Sequence, residues 1–162
     1  ILLEAAKNSA WPVVLIGSGP IERELKEHAK ELGLHNIKFL GVVSEEDKIA
    51  ILKLSYAIVF PSHLRSEAFG ISLLEGAMFG KPLISTEIGT GTSYININGK
   101  TGLTVNPSDP KSLREAMDNL WNNPALTRKL GRNAKIRFEK LFTSNMMGRA
   151  YADIYNKLVN QK

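Results

Sequence analysis

None of the 162 residues is a cysteine, which excludes disulfides, thiolate metal sites and thiol nucleophiles and fits a reducing compartment. No apolar run approaches the roughly 18 residues that would span a membrane. Residues 1–7 read as the tail of an amphipathic helix and not as a signal peptide. The chain is therefore expected to be cytoplasmic and to lack an N-terminal part of its protein. There is no Asp-x-Asp, and no His/Glu cluster has metal-ligand spacing, so neither a metal nor a cofactor is expected. A Gly-x-Ser-x-Gly elbow and a complete P-loop are also missing, which leaves serine-hydrolase and P-loop NTPase chemistry without a carrier.

What is present suits one α/β domain. Hydrophobic residues make up 43% and charged residues 23%, and the net charge is +5. Such a charge permits phosphate-bearing ligands or an anionic membrane surface, and nucleic acid is not expected as a partner. Short, largely apolar runs lie at 13–16, 37–40, 57–60, 82–85 and 102–105, the pattern of strands in a parallel sheet covered by helices. Helical patterns alternate with them. Residues 20–32 put Leu25, Ala29 and Leu32 on one face, with Pro20 in a first turn. Ser44 and Asp47 read as a capping box ahead of Ile49 and Leu52. Asp109-Pro110 opens a helix carrying Leu113, Met117 and Leu120. After Trp121 no strand pattern returns, and two helices are expected over about 124–141 and 144–159. The expected fold is a Rossmann-like parallel sheet, continuous through at least four crossovers and flanked by helices.

Ligands of open α/β sheets bind beyond the carboxyl ends of the strands, so the loops that follow the strands carry the candidates. Gly17 and Gly19 let backbone approach a ligand closely, although Glu22 stands where a dinucleotide fingerprint wants a third glycine. The segment from Ser66 to Gly80 says more. It predicts a loop ending at Gly70 and a helix to Phe79, apolar almost all round, with Glu75 its only charge. A buried carboxylate needs either a protein cation or a ligand with hydroxyls to donate. At 1.5 Å per residue Glu75 lies roughly 7 Å from the helix mouth, which suits a nucleotide whose phosphates cap the helix and whose ribose reaches Glu75. Glu67, just outside the mouth, repels phosphate and suits sugar hydroxyls or a cation. The plainer alternative has Glu67 solvated and Glu75 paired with a core lysine or arginine.

These two glutamates, separated by seven residues within Pro61-Ser62 … Ser66-Glu67-Ala68-Phe69-Gly70 … Leu74-Glu75-Gly76-Ala77-Met78 … Gly80-Lys81-Pro82, resemble the signature of the fourth family of retaining glycosyltransferases, which have the two-domain GT-B architecture. The resemblance extends through Gly17-Ser18-Gly19-Pro20, Phe39-Leu40-Gly41-Val42-Val43-Ser44 and Thr101-Gly102-Leu103, with Pro107 and Asp109 beyond. It implies that residues 1–162 are the nucleotide-sugar-binding C-terminal domain. Glu67 would be catalytic, supporting positive charge at the anomeric carbon. Phe69, Gly70 and Ile71 would offer N–H groups to sugar or pyrophosphate, and Glu75 would bind ribose. Val42, Val43 and Ser44 would lie against the base, and Gly17 and Gly19 beside the diphosphate. The reaction implied is retaining hexosyl transfer from a nucleoside diphosphate sugar, GDP-mannose or a UDP-hexose, to an acceptor glycan or lipid-linked saccharide of surface polysaccharide or lipopolysaccharide. The wording from Glu87 to Tyr94 looks like bacterial mannosyltransferases. The family's first βα unit, which carries a pyrophosphate-binding arginine and lysine, and its N-terminal acceptor domain are absent, so the chain alone is expected to be inactive.

Two rival readings stay open: a sugar-nucleotide 2-epimerase of the same architecture, and a non-catalytic nucleotide-binding module in which Glu67 is dispensable. His28 and His35 read as surface residues, whereas His63 and Arg65 sit in the ligand-facing loop. The cations Arg128, Lys129, Arg132, Lys135, Arg137 and Lys140 read first as a solvated helix face, and an anionic membrane is the second occupant that would suit them. The last helix, with Met146, Tyr151, Ile154, Tyr155 and Leu158, is expected to pack toward the absent domain.

Overall fold

The computed structural model describes residues 1–160. Five parallel strands alternate with helices in the order α1 (Leu2–Ala6), β1 (Val13–Ile16), α2 (Glu22–Glu31), β2 (Ile37–Gly41), α3 (Glu45–Leu54), β3 (Ile58–Phe60), α4 (Ile71–Met78), β4 (Leu83–Thr86), α5 (Gly91–Ile95), β5 (Gly102–Val105), α6 (Pro110–Asn122), α7 (Pro124–Leu141) and α8 (Ser144–Val159). The five apolar runs all became strands. The helix expected from Pro20 begins later, at Glu22, because the Glu22 N–H closes a turn onto the Gly19 carbonyl first. The 86–92 segment, read as a loop, runs into the five-residue α5.

Local chemistry accounts for several starts. The Ser44 hydroxyl oxygen accepts from the Asp47 N–H at 3.1 Å, and the hydroxyl donates to the Asp47 carboxylate at 2.8 Å, closing the cap side chain to side chain. Asp109 accepts from the N–H groups of Lys111 and Ser112, both at 3.0 Å, ahead of Pro110 in the first turn.

The expectation of one continuous sheet is corrected. Strands β1 and β2 pair in one sheet, and β3, β4 and β5 pair in another. The Val13 and Gly17 N–H groups bond to Asn36 and Gly41 on the β2 side, and the Ile58 N–H bonds to Pro82 on the β4 side. By the alternation of a parallel ladder, the backbone N–H groups of Val14 and Ile16 on β1 and Val59 on β3 face the other way, toward edges on which no strand lies among the described residues. Val14 and Ile16 are 44% and 40% exposed, unusual for valine and isoleucine inside a doubly covered sheet.

Helices hold the halves together. On one face Ala5 of α1 and Leu113, Ala116 and Leu120 of α6 pack with Ile84 and Val105, and Leu2 and Met117 also reach the cluster of Ala6, Trp11 and Val13. Asp118 accepts from Trp11 Nε1 at 2.7 Å and Arg114 Nε at 2.6 Å, while Arg114 also donates to the Lys7 carbonyl. On the opposite face Leu73 and Ala77 of α4, Ile95 of α5 and Ala134 of α7 enclose Leu83. Each fully buried leucine here contributes about 1.5–3 kcal/mol. Gly76 is the contact point of α4 with β3: a Cβ there would lie 2.5 Å from Ile58 Cγ1.

Candidate functional site

Helix α4 decides the geometry of the site. Its N-cap, Gly70, adopts φ of 91°, a left-handed conformation that an L side chain resists, so the chain turns sharply from the 61–70 loop into the helix. Leu73, Gly76 and Ala77 form the buried side. The expected all-round burial is corrected: Ile71 is 69% exposed and Met78 also faces out, with Glu75 on the partly open flank. A sheet covers only one side of a single helix, and apolar residues at the outward positions stay uncovered in this chain.

Glu67 folds back over the helix mouth. Its Oε1 accepts from the Gly70 N–H at 3.0 Å and the Phe69 N–H at 3.3 Å, so the carboxylate occupies the two amides nearest the mouth. The N–H groups of Ile71 and Ser72, in the first helical turn, have no intrahelical carbonyl to bond. An anion arriving at α4 therefore meets those amides first and reaches Phe69 and Gly70 by displacing Glu67.

Glu75 has a protein cation, Lys48. Lys48 Nζ lies 2.8 Å from Glu75 Oε1 and 2.9 Å from Glu45 Oε1. The hydrogen bonds that it donates, to Glu75 first and Glu45 second, hold the Lys48 ammonium well above the ordinary lysine range. The side chains of Lys48 and Glu75 are 28% and 29% exposed, so the pair sits at the rim and not in the core. The sequence demanded a cation or a ligand for Glu75, and the cation stands 27 positions away on α3. No local pattern names it.

The loops after the strands meet along one edge. The Gly17 N–H bonds to the Gly41 carbonyl at 2.7 Å, joining the first two loops. The Lys48–Glu75 pair joins the second to α4. The Gly91 N–H bonds to the Ala68 carbonyl at 2.9 Å, and the Thr86 hydroxyl donates to the Ser62 carbonyl, joining the third and fourth. Arg65 lies against Gly89 across the same seam. A Cβ placed at Gly17 or Gly19 would meet nothing within 4 Å, and Val42 is 78% exposed. Gly17, Gly19, Val42, Val43, Ser44, Glu67, Phe69, Gly70, Ile71 and Glu75 thus border one open rim. His63 is exposed in the 61–70 loop, and His28 bonds to Glu4 at 3.0 Å, away from the rim.

Reading the sequence alone missed a cluster beside the mouth. Phe142 meets Phe69 and Tyr94 edge to face, and the Arg137 guanidinium lies 5.1 Å from the Tyr94 ring and 5.7 Å from Phe142. Arg137 also donates to the Tyr94 carbonyl. It is accordingly removed from the solvated row of α7, and Arg128, Lys129, Arg132, Lys135 and Lys140 remain exposed. Among the described residues no helix is long and apolar enough to cross a membrane.

Comparison with known proteins bears on this rim. The profile for glycosyl transferases group 1 matches residues 1–137. The chain is 61% identical over 144 residues to the D-rhamnosyltransferase WbpZ of Pseudomonas aeruginosa, covering 89% of the chain and 38% of that protein. It is 49% identical to the O-antigen chain mannosyltransferase C of Escherichia coli, covering 100% of the chain and 44% of that protein. The chain therefore spans less than half the length of these curated relatives. Among solved structures, the C-terminal domain of a glycosyl transferase group 1 family protein (LpcC) from Francisella tularensis superposes with a TM-score of 0.74 at 25% identity, covering 88% of this chain and 77% of that one. HepE of Anabaena in complex with UDP superposes with a TM-score of 0.86 at 20% identity, covering 96% and 44%. That likeness shows a shared fold, one half of the GT-B architecture.

Proposed function

The chain belongs to the group 1 glycosyl transferases, and from that premise we propose that residues 1–162 form the donor-binding C-terminal domain of a retaining hexosyltransferase. The observation that carries this reading is the α4 mouth: two carboxylates eight positions apart flank the helix N-terminus at the carboxyl ends of the strands. In the proposed complex the diphosphate of a nucleoside diphosphate sugar caps Ile71 and Ser72, and the ribose diol donates to Glu75. The base lies against Val42, Val43 and Ser44, and the diphosphate passes Gly17 and Gly19. Glu67, displaced from the Phe69 and Gly70 amides, turns to the hexose and stabilises positive charge at its anomeric carbon. The amides it leaves face the departing diphosphate and stabilise its charge without a metal ion. Mannosyl and rhamnosyl transfer by the named relatives favours GDP-mannose over a UDP-hexose, with a surface polysaccharide or lipopolysaccharide acceptor.

The split sheet supports the proposal that a first βα unit and an N-terminal acceptor domain precede these residues in the longer protein. Helix α1 leads directly into β1 and lies on α6, over the face that the two sheets share. A right-handed crossover through α1 needs a parallel strand beside β1. The unpaired edges of β1 and β3 leave one position for it, between them, and the strand order then becomes that of a doubly wound sheet. Its carboxyl end opens at the switch point, beside the rim. Without it the donor site lacks a wall, and the isolated chain is inactive.

The five exposed cations of α7 give the longer protein a face for the anionic inner membrane surface, at about 1 kcal/mol per cation near the surface. Such a protein sediments with anionic vesicles and not neutral ones; equal sedimentation with both sinks that part of the proposal. The central test is transfer by the longer protein from GDP-mannose and UDP-hexoses, with the product's anomeric configuration read by NMR. A retained configuration with one donor is expected. An inverted product, or epimerised nucleotide sugar in place of transfer, overturns the reading.

A further inference from the structure

Lys48 is a cation placed between two carboxylates, and only one of them borders the rim. Glu45 is exposed on the first turn of α3, and its bond to Lys48 is a three-residue surface pair of little consequence. Glu75 is the partner that reaches across from α4. Lys48 engages its Oε1, and among the described residues no protein group donates to Oε2. A carboxylate accepts on both oxygens, so one oxygen is fixed by the protein and the other is left for a hydroxyl donor. Helix α3 starts directly after Val42, Val43 and Ser44, so the same helix carries the base-facing segment at its mouth and the clamp one turn later.

Charge argues in the same direction. A free Glu75 carboxylate roughly 7 Å from the α4 mouth repels the diphosphate that the mouth attracts. Lys48 neutralises it where it stands, so the carboxylate keeps its acceptor oxygens and loses most of its repulsion.

We propose that Lys48 is a positioning residue for the donor, holding Glu75 by one oxygen so that the other meets the ribose diol in a single orientation. This rests on the reading that Glu75 receives the ribose. The clamp makes affinity depend on the ribose hydroxyls: a donor that lacks them gains nothing from a well-held Glu75.

The test is calorimetric titration of the longer protein with GDP and UDP and their 2′,3′-dideoxy counterparts, in wild type, Lys48→Met, Lys48→Arg and Glu75→Gln. Lys48→Met should weaken the preferred ribonucleotide about tenfold and its dideoxy counterpart less than about twofold. Lys48→Arg should recover part of the loss. In steady-state kinetics Lys48→Met should raise the donor KM and leave kcat little changed. If Glu75→Gln is ribose-selective but Lys48→Met weakens both nucleotides equally, or neither, Lys48 does not position Glu75. If Glu75→Gln shows no ribose selectivity, the ribose reading of Glu75 falls and this proposal falls with it. Lys48 is partly exposed and borders no core cluster, so both variants should fold; unliganded melting temperatures within about 3 °C of wild type check this.

Discussion

Glu67 has two jobs that substitution can separate. In the unliganded chain its Oε1 satisfies the Phe69 and Gly70 amides, while in the proposed complex its negative charge faces the sugar. Glu67→Gln keeps an acceptor oxygen for the amides and loses the charge. It should therefore melt within about 2 °C of wild type, whereas Glu67→Ala should melt about 2–4 °C lower. Both should lower transfer by the longer protein by about a hundredfold or more. Transfer by Glu67→Gln at the wild-type rate would leave the residue a structural cap and favour a non-catalytic module. Glu75 and Lys48 make the complementary case. The sequence exposed the need for a partner, through one carboxylate on an apolar helix, and withheld its identity, because the contact spans 27 residues.

Elements were legible where their signals are local. Helix α7 starts at Pro124 and α6 at Pro110, as proline in a first turn predicts, and all five apolar runs are strands. Boundaries moved where a turn competed, as at Pro20. The α6 cap has a consequence for acid stability. The backbone N–H of Ser112, above all, holds the Asp109 carboxyl below the ordinary aspartate value of 3.8. Because the folded pKa is depressed, the stabilisation is full above the unfolded value and is lost as pH falls through the folded one. Asp109→Asn retains the cap without the charge. The melting-temperature advantage of wild type over this variant should be constant from pH 7 to about 5 and shrink below about pH 4. An advantage that stays level to pH 2.5 would mean that Asp109 titrates alike in both states. Helix α5 was not legible, because its five residues are too few to show a period and it is held by Ile95 in the core.

At the scale of the molecule the open seam between β1 and β3 is the feature with most at stake. In the longer protein a strand in that seam would pair the N–H groups of Val14, Ile16 and Val59. Hydrogen exchange should then find those amides protected to within about tenfold of Val13 and Ile58, which donate to the Asn36 and Pro82 carbonyls. Exchange of Val14, Ile16 and Val59 at loop rates in the longer protein would show that no strand fills the seam. Helix α8 belongs to the same scale. Tyr151, Ile154, Tyr155 and Leu158 are all exposed and no residue of the helix is buried, so its apolar side chains stay uncovered among the described residues.

The sequence by itself determined the five strands and every helix except α5, that a glycine-ended loop leads into α4, and that Glu67 and Glu75 flank its mouth. Those are consequences of periodicity, capping and turn chemistry, which act over a few residues. Tertiary structure decided which side of α4 is buried, that Glu67 covers the Phe69 and Gly70 amides, that Arg137 stacks on Tyr94 and Phe142, and that Lys48 holds Glu75. It also divided the sheet. Each of these depends on contacts between segments far apart in sequence, whose partners are chosen by packing and by which strand edges find a neighbour.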